Sequence, residues 1–287
     1  MKTKSKLILA IIIVIFLDSC NKAGIDGKKV FFGTPAGYAE RLAEEIHKAG
    51  GIPFSLPLIE TVIPDVNPAI DSLLNHLDEI DFIAFSSRKA IEALFEKADS
   101  SDIKLLDEGS IKLCTIGKDS ELLKNKYGLK PFIQPAEPSP RGIINELSEL
   151  EGIKGKNIAV LAPSVRHIPE PDVVPDFIAG LEEIGMNVKR VDAYYTALAK
   201  ELDFEEYRDK LAKGYYDVIA FTSTAEIEVF LLLMNDRHIA DKQVIACFGP
   251  YTAANALELG LHVDVVADDF SSFAGLIESI DLYFSGL

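Results

Sequence analysis

The sequence contains few of the side chains that build disulfide frameworks or metal centres. Three cysteines occur in 287 residues, which is too few for a disulfide framework. Cys114 and Cys247 lie in apolar runs typical of strands, and this predicts buried, chemically inert thiols. The five histidines are scattered without the spacing of metal ligands. The sequence therefore predicts no structural metal site.

Several motifs of common enzyme classes are also absent. No GxGxxG segment opens a helix after a strand, and no GxxxxGK segment followed by Ser or Thr occurs, so the usual nucleotide-binding loops are missing. No GxSxG segment is present, which argues against an esterase-type nucleophile. Positive charge is scarce, with 29 Lys and Arg against 45 Asp and Glu and a net charge of −16. This balance argues against nucleic acid as a partner.

The first 20 residues differ from the rest of the chain. Three lysines precede an apolar run from Leu7 to Leu17, and a short segment ending in Ser19 and Cys20 follows. This order is typical of an export signal, and the run is too short to span a bilayer comfortably. We predict lipoprotein-type cleavage and lipidation at Cys20, with membrane attachment there. The alternatives are an uncleaved N-terminal anchor or upstream sequence translated from a misassigned start.

Two segments of the chain are repeated in the same order. The stretch "DFIAFSSRKAIE" from residue 81 shares seven of twelve positions with "DVIAFTSTAEIE" from residue 217. A second pair follows each copy, "CTIGKDS" at 114–120 and "ACFGPYT" at 246–252. Apolar strands alternate with helical segments along the whole chain after residue 27, which is typical of parallel sheets covered on both faces. The sequence thus predicts an α/β fold with two similar parallel-sheet domains.

Hydroxyl side chains follow the repeated strands, where each predicted strand gives way to a helix. They are Ser86, Ser87, Ser120, Thr222, Ser223 and Thr252. A hydroxyl at such a place caps the helix that follows, or it helps to bind an anionic ligand. Ligands of parallel α/β sheets bind outside the carboxyl ends of the strands. Each residue alone leaves both interpretations open, and the four paired turns together favour a shared ligand cleft between the domains.

Several spaced segments together resemble the uroporphyrinogen-III synthase family. They are "TPAGYAERLAEEIHKAGG", "PLIET", "FSSRKAIEALF", "IGKDSELL", "VVPDFIAGLEEIGMNVKRVDAYYT", "DVIAFTSTAEIEVFL" and "FGPYTAANALELG". The resemblance covers roughly residues 28–285 and depends on the order and spacing of the segments. "GKDSELL" and "PDVVPDF" are most similar to the plant-type branch of the family.

The resemblance implies two α/β domains joined by a two-stranded linker, with a cleft between them. Domain 1 would combine residues 28–57 and 197–287, domain 2 would comprise 58–196, and residues 1–27 would form the signal-like segment and its tether. The cleft would take hydroxymethylbilane, a linear tetrapyrrole polycarboxylate, and close it into a macrocycle with inversion of ring D and loss of water. The resemblance implies no cofactor and no metal, and we expect a monomer.

The resemblance also implies roles for individual residues. The family's candidate acid for the leaving hydroxyl is a tyrosine in a Tyr-x-Thr segment, which is Tyr194 here. Its neighbour Tyr195 is the adjacent alternative, which strand alternation would point to the opposite face. Substrate-binding positions carry over to Ser87, Lys89, Ser120, Ser223 and Thr252. Many members of the family have an arginine after the first strand, where this chain has Thr34.

Two functions follow from these observations. The first is the synthase itself, which would place the protein in the cytoplasm because haem precursors are made inside the cell. The second is an exported, non-catalytic paralogue that binds a tetrapyrrole or another anionic small molecule, as the lipoprotein-like N-terminus suggests. We favour the enzyme, because the resemblance covers nearly the whole chain after residue 27.

Overall fold

The computed structural model describes residues 24–200, 204–235 and 237–286. The predicted lipidation site Cys20 and the apolar run before it lie outside the described residues, so the lipoprotein prediction stays a prediction. Across the ranges that are described, no helix is both long enough and apolar enough to cross a membrane. Residues 24–27 pack on the domain that follows, since Ile25 is fully buried and its N–H donates to the Asp281 carboxylate at 2.9 Å.

The strands are short and mostly buried. They are β1 Lys29–Phe32, β2 Ile52–Ser55, β3 Ile59–Val62, β4 Phe82–Phe85, β5 Lys112–Cys114, β6 Asn157–Arg166, β7 Asn187–Leu198, β8 Val218–Phe221, β9 Val244–Cys247 and β10 Val265–Val266. The helices between them are α1 Ala36–Lys48, α2 Pro68–Leu74, α3 Arg88–Phe95, α4 Ser100–Asp107, α5 Asp119–Tyr127, α6 Pro140–Ser148, α7 Val173–Glu183, α8 Glu205–Ala212, α9 Thr224–Met234, α10 Pro250–Glu258 and α11 Phe273–Ser285.

These strands form two five-stranded sheets. Sheet 1 has the order β10-β9-β8-β1-β2 and is parallel throughout, and sheet 2 has the order β3-β7-β6-β4-β5. In sheet 2 only the pair of β3 and β7 is antiparallel. We use domain 1 for the part built on sheet 1, which draws on both ends of the chain, and domain 2 for the part built on sheet 2. The residue boundaries predicted for the domains stay predictions.

The two repeated strands, β4 and β8, have similar surroundings in their sheets. Each lies in the interior of its sheet with parallel strands on both sides, and all four residues of each are buried. Apolar clusters cover both faces of each sheet, which explains why these strands are apolar throughout rather than alternating. The thiols of Cys114 and Cys247 are buried in these clusters as predicted, and burial raises the pKa of each to about 12.

Two extended segments connect the domains. The chain leaves sheet 1 after β2, enters β3, and returns at the end of β7, which runs antiparallel to β3. A backbone hydrogen bond from Leu58 N–H to the Gly33 carbonyl at 2.9 Å ties this linker to domain 1, and one from Ala199 N–H to the Leu58 carbonyl at 3.1 Å joins its two segments. The predicted fold class, two parallel-sheet α/β domains with a two-stranded linker and a cleft, is confirmed.

Candidate functional site

A cavity of about 890 Å³ lies between the domains, beside the linker. Its walls come from the start of α1 in domain 1, from residues 56–61 of the linker with Ala199, and from the start of α3 in domain 2. Three cations and two acids line it, and these are Arg41, Arg88, Lys89, Glu60 and Glu92. A cavity of this size is typical of small-molecule sites. Polar side chains from both domains therefore face one shared space.

The turn from β4 to α3 contains the first of the predicted site residues. Ser87 is the N-cap of α3, and its Oγ accepts the backbone N–H of Ala90 at 3.3 Å. The same Oγ lies 2.9 Å from the phenol oxygen of Tyr194, so two predicted site residues from distant parts of the chain are in direct contact. The adjacent Ser86 Oγ is buried and has no hydrogen-bond partner among the described residues. This turn therefore contains one hydroxyl whose hydrogen-bonding capacity the described residues leave unused.

Tyr194 is almost completely buried in the core of domain 2. Burial raises the pKa of its phenol far above the usual range, and the hydrogen bond with Ser87 opposes this only in part. The hydroxyl is therefore neutral at physiological pH and available as a hydrogen-bond donor. Tyr195 has different surroundings, because its ring is stacked by the guanidinium of Arg166 at 3.7 Å from the ring centroid.

Tyr38 and Asp119 extend this site from two further helices. Burial, together with nearby Glu92 and Asp119, raises the pKa of Tyr38, in α1, to about 12 against the opposing charges of Arg88 and Arg41. Burial raises the pKa of Asp119, the first residue of α5, to about 6, although Arg88 and Arg41 oppose the shift. The backbone N–H of Arg88 also lowers the pKa of Asp119, by less than the two charges do. The charge of Asp119 and the phenol of Tyr38 both act on Tyr194, so α1, α3, α5 and β7 contribute to one electrostatic cluster.

The corresponding turn of domain 1, from β8 to α9, is closed by a carboxyl group. Ser223 caps α9, and its Oγ accepts the Glu226 N–H at 3.4 Å. The fully buried Glu226 carboxyl accepts the Thr222 N–H at 3.0 Å, the Thr222 hydroxyl, and the Ser223 hydroxyl at 3.2 Å. Burial raises the pKa of Glu226 to about 7, although these hydrogen bonds lower it. The buried Thr34 adds a contact of 3.4 Å between its hydroxyl and that of Thr222.

The remaining predicted site residues have different settings, and of these only Lys89 lines the cavity. Lys89 lines the cavity and pairs with Glu92 at 3.1 Å. Ser120 is fully buried, and its hydroxyl donates to the Gly117 carbonyl at 3.3 Å. Thr252 is buried in the first turn of α10. Gly117 of domain 2 lies close to Ser271 of domain 1. A Cβ atom added to this glycine would be 3.7 Å from the Cβ of Ser271.

The sequence analysis named Ser87, Lys89 and Tyr194 as candidate site residues but did not name Tyr38, Arg41, Arg88, Asp119 or Glu226. The sequence does contain a pattern that marks Tyr38, Arg41, Arg88 and Asp119, because each is a polar side chain near the start of a helix that follows a strand. No signal marked Glu226, which looks like any other acid on a helix. Among the described residues, no three His, Cys, Asp or Glu side chains are grouped so that they could hold a metal ion.

The fold and the cavity define the class of protein: it has two α/β domains and a candidate ligand site, lined by cations, between them. Residues 40–277 match the family described as uroporphyrinogen-III synthase HemD. Because this match covers most of the chain, the protein belongs to that family, and the family places it in tetrapyrrole biosynthesis.

Individual relatives show how far the similarity extends. A Methanothermobacter thermautotrophicus protein, provisionally named uroporphyrinogen-III synthase, is 26% identical over 231 residues, which are 77% of this chain and 87% of that protein. The uroporphyrinogen-III synthase of Chlorobaculum parvum is 22% identical and covers 87% of this chain and 98% of its own. A crystal structure of mutant uroporphyrinogen III synthase from Thermus thermophilus superposes with a TM-score of 0.63 at 16% identity, covering 91% of this chain and 100% of that one. The structural match shows the shared fold.

Proposed function

We propose that this protein cyclises hydroxymethylbilane to uroporphyrinogen III, with inversion of ring D and loss of water. Family membership and the two-domain fold support a synthase of this pathway. The observation that carries the finer proposal is the 2.9 Å contact between Tyr194 and Ser87, the residue just before the cavity-lining Arg88 and Lys89. It pairs a neutral hydroxyl donor with a second hydroxyl, in the turn that leads into the cavity wall.

The chemistry suits such a site because the substrate provides most of the reactivity. The electron-rich pyrrole breaks the C–O bond, and the electron pair goes to the departing oxygen. A donor at that oxygen stabilises the developing charge and supplies the proton that completes water. Tyr194 serves as this donor, and its raised pKa keeps the proton in place until the oxygen becomes basic. The cavity walls hold the chain curled, so positioning supplies much of the rate.

Tyr194→Phe tests this assignment directly. The change removes the donor and keeps the ring, so the fold and most of the substrate binding should persist. We expect kcat to fall by about 10²-fold, the lower end for acid assistance, because water is able to replace the phenol in part. The share of type I isomer should rise, since substrate released after activation closes without inversion. Equal kcat and isomer purity in this variant and the wild type would exclude Tyr194 from the mechanism.

The neighbouring Tyr195→Phe is the matched control. Its ring is stacked by Arg166 and makes no contact with Ser87, so loss of its hydroxyl should change kcat by less than about 3-fold. A binding protein without turnover would give only the spontaneous type I product with wild type and with both variants, together with saturable binding of hydroxymethylbilane. Formation of the type III isomer by the wild type would rule that alternative out.

A further inference from the structure

The cations of the interdomain cavity differ in whether they already have an acidic partner. In domain 2, Arg88 Nε lies 3.5 Å and Lys89 Nζ 3.1 Å from the Glu92 carboxylate. The cavity acid Glu60 pairs with Lys200 at 3.4 Å. Arg41, in domain 1, makes no ion pair within 4 Å with any residue that the structure describes. It is therefore the cavity cation whose charge no neighbouring acid offsets at contact distance.

The structure also shows how Arg41 is held. Its guanidinium lies over the ring of Phe273 in α11, 5.4 Å from the ring centroid. Such a contact orients the planar group without using its N–H donors, which stay free for a ligand. Tyr38 lies three residues earlier on α1, so both side chains are on the face of the helix that lines the cavity. The charge of Arg41 also lowers the pKa of Asp119, but these two side chains are farther apart than ion-pair distance.

We propose that Arg41 binds a carboxylate side chain of the substrate in the interdomain cavity, opposite the Arg88 and Lys89 pair of domain 2. This inference rests on the proposed function, because hydroxymethylbilane is a polycarboxylate. A guanidinium presents paired N–H donors that match the two oxygens of a carboxylate. The protein carries a net charge of −16, so an anionic ligand needs a local, unpaired cation to offset the repulsion.

The position of Arg41 has a mechanical consequence for the ligand complex. Arg41 belongs to α1 of domain 1, whereas Arg88 and Lys89 belong to α3 of domain 2. Carboxylates of one ligand that meet both sets of cations connect the two domains across the cavity. Arg41 is therefore a binding and positioning residue, and its loss should affect KM far more than kcat.

Steady-state kinetics with hydroxymethylbilane on the full-length protein tests this proposal. Arg41→Ala should raise KM by about 10- to 100-fold, the range for one lost hydrogen-bonded charge contact, with kcat within about 3-fold of wild type. Arg41→Lys should recover part of this loss, because a lysine keeps the charge but not the paired donors. KM should also depend less on ionic strength in Arg41→Ala than in wild type. Lys48→Ala is the control, since Lys48 ends the same helix at the surface in a pair with Glu45.

Equilibrium binding of uroporphyrin, followed by fluorescence, separates this proposal from the proposed function. One outcome is that the wild type does not cyclise hydroxymethylbilane but binds uroporphyrin more tightly than Arg41→Ala does. This outcome would refute the synthase function and support the anion site at Arg41. A wild type that forms the type III isomer, with Arg41→Ala no different from Lys48→Ala in KM and in uroporphyrin affinity, would overturn the anion site and keep the synthase. Arg41 is exposed, so the Tm of each variant should match that of wild type.

Discussion

The two repeated turns, β4 to α3 in domain 2 and β8 to α9 in domain 1, have the same local geometry and different surroundings. In both, a serine caps the helix through the N–H three residues later, which belongs to Ala90 in domain 2 and to Glu226 in domain 1. The alanine adds no polar group to the domain 2 turn, where the Ser87 hydroxyl contacts Tyr194 and the buried Ser86 hydroxyl has no partner among the described residues. In the domain 1 turn, the Glu226 carboxyl accepts hydrogen bonds from the Thr222 and Ser223 hydroxyls.

This difference teaches that a repeated segment does not imply a repeated function. The domain 2 turn contacts Tyr194 and is followed by Arg88 and Lys89, which line the cavity. The domain 1 turn is followed by Thr224 and Ala225, which carry no charge. We therefore assign the domain 2 turn to the ligand and the domain 1 turn to the stability of its own domain. Variants of Glu226, Ser87 and Ser223 provide the means to break or sharpen this comparison.

The largest expected effect is the loss of stability in Glu226→Ala. The change removes the acceptor of the Thr222 N–H and of two half-buried hydroxyls and opens a cavity, so the free energy of unfolding should fall by about 3 kcal/mol. Urea denaturation at about pH 5.5, where the folded carboxyl is protonated, measures this loss. The control is Glu228→Ala, two residues along the same helix and less buried, which should cost under about 1 kcal/mol. Equal losses in the two variants would contradict a structural role for the Glu226 carboxyl.

A somewhat smaller effect is expected in the pH dependence of stability. Burial raises the pKa of Glu226 from 4.5 to about 7 in the folded protein, so the folded state holds this proton more tightly than the unfolded chain. The free energy of unfolding should therefore decline as pH rises from about 4.5, and the decline should end near pH 7. Between about pH 5.5 and 7, the titration of Glu226 should lower the free energy of unfolding by about 2 kcal/mol.

Glu226→Gln isolates this contribution, because glutamine does not titrate. Urea denaturation of wild type and Glu226→Gln across this pH range should show a steeper decline in the wild type. Other groups with raised pKa values, such as Asp119, titrate in both proteins and cancel in the difference. Parallel curves would show that the Glu226 carboxyl does not titrate in this window.

The smallest expected change in stability accompanies loss of the two capping serines. Ser87→Ala and Ser223→Ala should each cost about 1 kcal/mol, because each removes one helix N-cap. Their effects on the synthase reaction should differ. Ser87→Ala should lower kcat by about 10-fold because Tyr194 loses the partner that orients its hydroxyl. Ser223→Ala should leave kcat within about 2-fold of wild type. A rise in KM for Ser223→Ala would instead support the sequence-based prediction that Ser223 binds substrate directly.

The sequence by itself determined the fold class and the capped turns. Four consecutive buried apolar residues in β4 and in β8 specify strands covered on both faces, and this pattern is local. The positions of Ser87 and Ser223 as N-caps are local as well, because a cap bonds to an N–H only three residues away. The family resemblance extended these local predictions to the cleft and to Tyr194.

Only the tertiary structure decided what each turn faces. Ser87 and Tyr194 are 107 residues apart in the chain, and their contact depends on how the strands of sheet 2 are ordered. Arg41 reaches the cavity of Arg88 and Lys89 only because the linker brings α1 of domain 1 opposite α3 of domain 2. Glu226 could not be distinguished from a surface acid, since its burial and raised pKa come from packing around it. Contacts between distant segments depend on the arrangement of the two sheets and the approach of the two domains, which no local pattern encodes.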